Sequence, residues 1–189
     1  VRQSNCVKSF LNVTTDKVYL NREWNWGYRE NEELDGYDPY SNSKSCSELV
    51  THSYKRSFFT DSEGKAIVPI STARAGNVIG GGDFANDRII PDSIRAAAKG
   101  EDIVVRNPFS TRPYQHVLEP LRGYMMLAQK MWEHPTEYCE GWNFGPKMDA
   151  VVPVWEVANT LVESYGKGVI VDQTESNAVH EANLLMLDI

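Results

Sequence analysis

Apolar residues along the chain form two kinds of run, which predict strands and helices in alternation. Short runs rich in β-branched residues, such as VKSFLNVTT and AIVPISTAR, are typical of strands buried in a parallel sheet. Pro69 fits the second run only if its strand begins after that residue. Segments with apolar residues at helical spacing predict helices, and the order indicates an α/β fold. Further strands are predicted at IVVR, EGWNFGP and GVIVD, and helices at 40–59, 87–99, from 119, and 153–165.

The same patterns indicate which residues pack inside the molecule. Residues 1–6 resemble the frayed end of a helix, and 21–38 is polar and rich in turn residues, so we interpret it as a loop. The aromatic residues of that loop form either a small hydrophobic cluster or a surface on which a ligand stacks. Two helices carry apolar residues at helical spacing, which predicts a buried face on each. These residues are Leu49, Val50, Tyr54 and Phe58 in the first helix, and Leu121, Tyr124, Met125, Ala128 and Met131 in the third.

Tyr40 and Lys44 form the first candidate for chemistry. They are four residues apart at the start of a predicted helix, so they lie on one face, one turn apart. A cation near a tyrosine favours the phenolate, which can accept a proton from a hydroxyl group. A pair at this spacing also occurs on ordinary solvated helices, so the spacing alone does not decide between the two interpretations.

The second candidate is the segment Thr14-Thr15-Asp16-Lys17, which follows the first predicted strand. In open α/β sheets, ligands bind at the carboxyl ends of the strands. This segment would therefore present hydroxyl, carboxyl and amine groups at a binding edge. The alternative is a plain exposed ion pair between Asp16 and Lys17 at the end of a strand.

Composition excludes several classes of protein. The 189 residues are 41% hydrophobic and 24% charged, which suits one compact domain or slightly more, and no run of about 18 apolar residues predicts a membrane span. The formal net charge of -7 argues against nucleic acid as a partner, although local arginines can still bind a diphosphate. Three widely spaced cysteines support neither a disulfide framework nor a metal site. With no signal-peptide pattern, we expect a cytoplasmic protein.

Four segments occur in a characteristic order and at characteristic separations: TTDKVY, YDPYSNSK, RAGNVIGGGDFANDRIIPD and RPYQHVLEPLRGY. Together they resemble the extended short-chain dehydrogenase/reductase family over almost the whole chain. The resemblance implies the C-terminal part of a doubly wound, Rossmann-like parallel sheet with a small mixed α/β substrate lobe. It also implies NAD as cofactor and a sugar nucleotide as substrate. CDP-glucose is the substrate expected, because a Lys follows the Asp of the first segment.

The resemblance further implies an enzyme that removes water from an activated hexose, for deoxysugars of surface polysaccharide. The C4 hydroxyl is oxidised, water is eliminated across C5 and C6, and the hydride returns to C6. Tyr40 would be the base at the C4 hydroxyl, and Thr15 would hydrogen-bond the same oxygen. Asp16 would protonate the leaving C6 hydroxyl, and Lys17 would be the C5 base. An amine can act as this base only in its neutral form, which burial and the neighbouring Lys44 would favour.

The remaining site residues implied by the resemblance bind cofactor or substrate. Thr14, Tyr40, Lys44, Ala75 and Asn77 would contact the cofactor, and Asn77 would also face the diphosphate or sugar. A guanidinium suits phosphate oxygens, which makes three arginines candidates for the diphosphate, although a single arginine is usually a solvated surface residue; Arg112 matches the family's motif best, Arg88 next and Arg106 least. His180 is a candidate for the nucleotide, with a structural role as the alternative. The arginines are Arg88, Arg106 and Arg112, the last in a segment, 111–117, that resembles a strand of the family.

One expected feature does not occur in the sequence. The glycine-rich turn that holds the pyrophosphate of a dinucleotide, GxGxxG or GxxGxxG, is missing. We therefore expect the chain to be the C-terminal two-thirds or so of a longer enzyme and to be inactive alone. Residues 1–75 would complete the dinucleotide-binding domain. Residues 76–189 would form mainly the substrate lobe, with some segments returning to the main sheet. The homodimer typical of the family is doubtful for this chain.

Two alternatives fit the sequence as well. One is an epimerase or reductase of the same family, which shares Tyr40 and Lys44 but does not need Asp16 and Lys17 beside them. The other is a non-catalytic remnant, or a half that must pair with a separate N-terminal piece.

Overall fold

The computed structural model describes residues 1–147, 150–174 and 184–189. It confirms the α/β class, with parallel strands and interspersed helices. In chain order the strands are β1 (Phe10–Val13), β2 (Ile70–Ala75), β3 (Val78–Ile79), β4 (Ile103–Val105), β5 (Thr111–Arg112), β6 (Gln115–His116), β7 (Gly141–Phe144), β8 (Val152–Pro153) and β9 (Ile170–Asp172). The helices are α1 (Pro39–Phe58), α2 (Ile89–Lys99), α3 (Leu118–Glu133) and α4 (Val154–Tyr165), and a 3-10 turn covers Asp16–Val18.

The main sheet has the strand order β1-β2-β7, and both pairings are parallel. Strand β2 begins directly after Pro69, as the sequence predicts, because proline has no N–H group to donate to a neighbouring strand. Since all three strands run in one direction, their carboxyl ends lie at one edge. This edge brings together the residues that follow β1 and β2, at 14–17 and 76–77.

The second half of the chain forms three small sheets of two strands each. Strand β3 pairs with β6 and β4 with β9, both in parallel, while β5 pairs with β8 in the antiparallel direction. The single strand expected at 111–117 is wrong, because this segment forms two short strands with different partners. Pro113 lies between them, where a residue without an N–H group cannot continue a ladder.

Local signals in the sequence set the helix ends. The Asp38 carboxylate caps α1 by accepting from the backbone N–H groups of Tyr40 at 2.9 Å and Ser41 at 3.0 Å. Pro39 occupies the first turn, where its missing N–H costs nothing. Helices α2 and α4 end at Gly100 and Gly166, whose φ angles of 75° and 81° are left-handed.

The buried face of α1 differs from the expectation. Its fully buried residues are Ser41, Ser45 and Glu48, which are polar. The apolar residues at helical spacing, Leu49, Val50, Tyr54 and Phe58, are exposed. The inner face of α1 is therefore held by hydrogen bonds and an ion pair rather than by apolar packing.

Three other packing expectations are also wrong. In α3, Leu121 and Met125 are exposed, and the buried residues of this helix are Pro120, Leu127 and Met131. Strand β1 is half-exposed rather than buried, because it lies at the edge of the described sheet. Residues 1–6 form turns and bends instead of a helix.

The segment 21–38 is a loop, as predicted, and its aromatic residues join a hydrophobic cluster. Tyr28 is buried in this cluster, with Trp24 packed against it and stacked on Trp26 at 4.8 Å between ring centroids. The other members come from distant parts of the chain: Val18, Tyr19, Leu34, Leu185 and Leu187. Within the described residues, no helix has the length and apolarity needed to cross a membrane.

Candidate active site

The candidate site lies at the carboxyl edge of β1 and β2, beside the first turns of α1. The 3-10 turn after β1 is held against α1 by Ser45. The Ser45 hydroxyl donates to the carbonyl of Val18 at 2.8 Å and accepts from the N–H of Gly36 at 3.0 Å. These bonds connect the turn, the helix and the loop before it. The Asp16-Lys17 segment and the first turns of α1 are therefore neighbours.

Asp16 is the group at this edge whose pKa is shifted furthest from its ordinary value. Its side chain is buried, with the whole residue 2% exposed, and its Oδ1 accepts from the Thr15 hydroxyl at 3.0 Å. Its Oδ2 is buried and has no hydrogen-bond partner in the chain. Burial raises the pKa of Asp16 to about 6, against the lowering effects of the Thr15 hydrogen bond and the charges of Lys17 and Arg112. Asp16 can therefore carry a proton near neutral pH.

Gly76 brings the end of β2 next to this carboxyl group. A Cβ at position 76 would lie 3.0 Å from Asp16 Oδ2 and 2.5 Å from Cγ of Pro113, so only glycine fits without a shift. The following residue, Asn77, accepts from the N–H of Gln115 at 2.9 Å through its carbonyl. The segments 76–77 and 112–115 therefore meet beside Asp16.

Tyr40 and Lys44 lie on the first turns of α1. Tyr40 is 56% exposed, and the Lys44 ammonium lies 5.9 Å from the centroid of its ring. Within the described residues, neither the Tyr40 hydroxyl nor the Lys44 ammonium has a hydrogen-bond partner in the chain. Both groups are therefore available to a ligand at the start of the helix.

Lys17 connects the two parts of the site. The hydrogen bond from the Ser41 hydroxyl lowers the pKa of Asp38, the cap of α1, and the charge of Lys17 adds to this lowering. The charge of Lys17 also opposes the rise in the pKa of Asp16. Lys17 thus lies near enough to Asp16 and to the cap of α1 for its charge to act on both. Lys17 is exposed, so the burial expected for its amine is wrong.

The two threonines already make hydrogen bonds within the chain. The Thr14 hydroxyl donates to Glu48 Oε1 at 2.5 Å, and the Thr15 hydroxyl donates to Asp16. Thr15 Oγ1 also accepts from the N–H of Lys17 at 3.4 Å. In this conformation each threonine hydroxyl already donates a hydrogen bond to a carboxylate, and only its oxygen lone pairs are available to a ligand.

Sequence reasoning missed a buried ion pair directly behind the site. Arg74 Nη2 lies 2.9 Å from Glu48 Oε2, and the two side chains are 5% and 3% exposed. Two signals could have revealed it. Glu48 follows Lys44 by one helical turn, and Arg74 is a charged residue in a strand whose other residues are small or apolar, so it requires a partner.

The residues predicted for substrate and cofactor binding have different surroundings. Arg112 is buried and close enough to Asp16 to affect its pKa. Arg88 and Arg106 are exposed, and they pair with Asp83 at 3.4 Å and Asp87 at 2.8 Å. Ala75, at the end of β2, is buried and pairs with Phe144. His180 lies outside the described residues.

Comparisons with known proteins identify the family and the fold. Residues 1–139 match the model of the NAD dependent epimerase/dehydratase family. The chain is 46% identical over its 189 residues to CDP-glucose 4,6-dehydratase from Salmonella typhimurium, covering 100% of this chain and 53% of that protein. The chain thus spans about half the length of this curated relative.

Solved structures share the fold. The dTDP-glucose 4,6-dehydratase of Bacillus anthracis in complex with NAD aligns with a TM-score of 0.73 at 18% identity, over 95% of this chain and 52% of that chain. The UDP-glucuronic acid 4-epimerase of Bacillus cereus in complex with UDP-glucuronic acid and NAD gives 0.77 at 19%, over 96% and 52%. At these identities the likeness concerns the fold alone. The family match covers well over half of the residues and includes both candidate motifs, so the chain belongs to the NAD dependent epimerase/dehydratase family.

Proposed function

We propose that this chain carries the sugar-reacting part of an NAD-dependent 4,6-dehydratase that converts CDP-glucose to CDP-4-keto-6-deoxyglucose, a precursor of deoxysugars. The observation that carries the proposal is Asp16, a buried carboxyl group with one unpartnered oxygen and a pKa raised to about 6. A dehydratase needs a group that holds a proton near neutral pH and delivers it to a leaving hydroxyl. An epimerase eliminates no water and has no use for such an acid.

Tyr40 is the proposed base for oxidation of the sugar. Its exposed hydroxyl can meet a C4 hydroxyl, and the Lys44 ammonium lies 5.9 Å from the centroid of its ring, on the same helix. Thr15 belongs to the same site because its hydroxyl orients the Asp16 carboxyl. As the C4 carbon becomes a carbonyl, the neighbouring C5 proton becomes acidic.

Lys17 and Asp16 are the proposed pair for the elimination. The Lys17 amine would take the C5 proton, and Asp16 would give its proton to the C6 hydroxyl, which leaves as water. The proposal is supported by the electrostatic influence of Lys17 on both Asp16 and Asp38, since a charge that acts on both carboxyl groups lies near the acid and near the start of α1.

The residues at the start of α1 suit the nicotinamide ribose of NAD. A ribose diol needs donors and acceptors, and the Tyr40 hydroxyl and Lys44 ammonium supply both without giving up bonds within the chain. We propose Thr14, Ala75 and Asn77 as further contacts to the cofactor. When bound there, NAD supplies the hydride acceptor for the sugar oxidation and the hydride donor for the closing reduction.

The diphosphate of the substrate is proposed to contact Asn77 and the arginines Arg88, Arg106 and Arg112. Arg88 and Arg106 would exchange an aspartate for a phosphate, which is a small cost at an exposed position. His180 stays a candidate for the nucleotide. We further propose that residues 1–75 belong to the dinucleotide-binding domain and that 76–189 form mainly the substrate lobe. The return of β7 to the main sheet supports this division.

The test follows loss of water from CDP-glucose by mass spectrometry in the presence of NAD. The purified chain is assayed alone and together with the separately expressed N-terminal half of the Salmonella relative. We expect product only from the mixture, and Asp16→Asn should abolish the loss of water. Formation of a C4 epimer without loss of water would instead indicate an epimerase. If the mixture neither binds nor converts a nucleotide sugar, the chain is non-catalytic.

Lys17→Met tests the second step in the same mixture. This variant should still oxidise the sugar at C4, because Tyr40 is unchanged, but should not lose water or exchange the C5 hydrogen with deuterated solvent. The matched control is Lys8→Met, which removes an exposed amine ahead of β1. Unchanged formation of product by Lys17→Met would refute the assignment of the base.

A further inference from the structure

The Glu48 carboxylate, behind the site, has its full set of hydrogen bonds. Oε1 accepts from Thr14 at 2.5 Å and from Arg74 Nε at 2.9 Å. Oε2 accepts from Thr72 at 2.6 Å and from Arg74 Nη2 at 2.9 Å. A carboxylate has about four lone-pair positions, so none is left over. Burial alone would raise the pKa of Glu48, but the hydrogen bonds and charge of Arg74 hold it below its ordinary value.

Arg74 extends this set of bonds away from the helix. Its Nη1 donates to the Tyr19 hydroxyl at 2.7 Å and to the Glu30 carbonyl at 2.9 Å. The Tyr19 hydroxyl in turn donates to Asn143 at 2.8 Å. Gly141 leaves the space for the guanidinium, since a Cβ there would lie 2.8 Å from Nη2. The pair is therefore anchored to β2, β7 and the loop before α1.

The position of Glu48 along α1 connects these bonds to the site. Glu48 follows Lys44 by four residues and Tyr40 by eight, so the three share one side of the helix. Each residue of a helix is rotated by about 100° from the last. Any rotation of α1 that moved Tyr40 away from the edge of β1 would pull Glu48 out of its two-pronged contact with Arg74. The other buried residues of this face bond through their hydroxyls: Ser41 donates to Asp38, and Ser45 donates to the Val18 carbonyl and accepts from the Gly36 N–H.

Stability alone does not account for a pair of this kind. Buried ion pairs often contribute no more than apolar residues of the same size, because the loss of hydration offsets their attraction. What a bidentate pair adds is a single allowed geometry, since an apolar contact tolerates rotation and sliding and a guanidinium fork does not. The apolar residues of α1 face outward, so apolar packing does not fix the rotation of this helix.

We propose that Glu48 and Arg74 are positioning residues, whose buried pair fixes the rotation of α1 and so directs Tyr40 and Lys44 toward the Thr15-Asp16 edge. This inference rests on the proposed function of Tyr40, because the direction of its side chain matters for the reaction only if Tyr40 is the base. The rotation of α1 can itself be measured without turnover.

The test uses fluorine NMR on the chain labelled with 3-fluorotyrosine, whose nine resonances are assigned through Tyr→Phe variants such as Tyr40→Phe and Tyr165→Phe. Glu48→Gln keeps the shape of the side chain but removes its negative charge. Arg74→Lys keeps the positive charge but removes the two-pronged guanidinium. In variants whose circular dichroism shows a folded chain, we expect the Tyr40 resonance to shift or split. The Tyr165 resonance, on α4, should stay in place.

Two controls separate positioning from a general loss of stability. Glu33→Gln removes the acid of the exposed Arg22–Glu33 pair and should move neither resonance. Gly141→Ala displaces the guanidinium without changing any charge and should reproduce the shift, which keeps the test available if Glu48→Gln does not fold. A lower melting temperature with an unchanged Tyr40 resonance would overturn the proposal. Because no step requires product, a failure of the proposed function would leave this result intact.

Discussion

Replacing Asp16 with Asn should make the protein more stable at neutral pH while it removes the proposed acid. The pKa of Asp16 is about 6 in the folded chain and 3.8 in its ordinary state, so the folded chain holds this proton more tightly. The stabilisation that comes from protonation of Asp16 is fully present below about pH 3.8 and is lost as the pH rises through about 6. At neutral pH the buried charge is therefore a cost, which the neutral amide avoids.

The magnitude follows from the same values. A pKa raised from 3.8 to about 6 corresponds to about 3 kcal/mol, at about 1.4 kcal/mol for each pKa unit. The Asn amide N–H₂ would take the position of Oδ2, which has no partner, and an unpaired buried amide costs about 1 to 3 kcal/mol. The net gain for Asp16→Asn at neutral pH is then between zero and about 2 kcal/mol. Below pH 3.8 the advantage of the variant should disappear, because protonated Asp16 is also neutral there.

The assay is urea unfolding followed by tryptophan fluorescence, at several pH values between about 4 and about 8. At each pH we compare the free energy of unfolding of the variant with that of the wild type, because contributions from distant groups cancel in this difference. We expect the difference to rise in favour of Asp16→Asn across the window from 3.8 to about 6. Glu33→Gln, at an exposed site, is the matched control and should show no such trend. A flat difference for Asp16→Asn would refute a buried, easily protonated carboxyl.

Three further predictions concern stability and reactivity. Arg74→Met should lower the free energy of unfolding by about 3 to 5 kcal/mol, because it leaves Glu48 buried and unpaired. Arg22→Met, at the exposed pair, should cost less than about 1 kcal/mol, and equal losses in urea unfolding would contradict this account. Gly76→Ala should cost about 1 to 3 kcal/mol through its contacts with Pro113 and Asp16. Gly81→Ala, with nothing within 4 Å of the added Cβ, is its control in the same measurement. A thiol reagent should label the exposed Cys6 and Cys46 quickly. Cys139 is buried, and burial raises the pKa of its thiol, so it should react only on unfolding. Rapid labelling of all three thiols in the folded chain would contradict the burial of Cys139.

Much of the local structure could be predicted from neighbouring residues. The start of β2 after Pro69, the Asp38-Pro39 start of α1 and the glycine ends of α2 and α4 all depend on interactions within a few residues. The candidate motifs were also visible, because Tyr40 and Lys44 need only a helix to share a face.

The buried face of α1 shows where local patterns fail. Leu49, Val50, Tyr54 and Phe58 have the spacing of a core-facing stripe, yet they are exposed, while Glu48 is buried. A charged residue can be buried only where a partner meets it, and Arg74 lies 26 residues further along the chain. Hydrophobic periodicity carries no information about a partner at that distance.

Most of the helices and strands, several of their ends and the two motifs at the edge of the sheet can be derived from the residues alone, because they follow from the backbone preferences and spacing of adjacent residues. Only the packed chain shows which face of α1 is buried, that Arg112 lies near Asp16 and how far the pKa of Asp16 rises. Those properties come from desolvation and charge across segments distant in sequence, such as 14–17, 76–77 and 112–115, and they exist only once these segments are packed together.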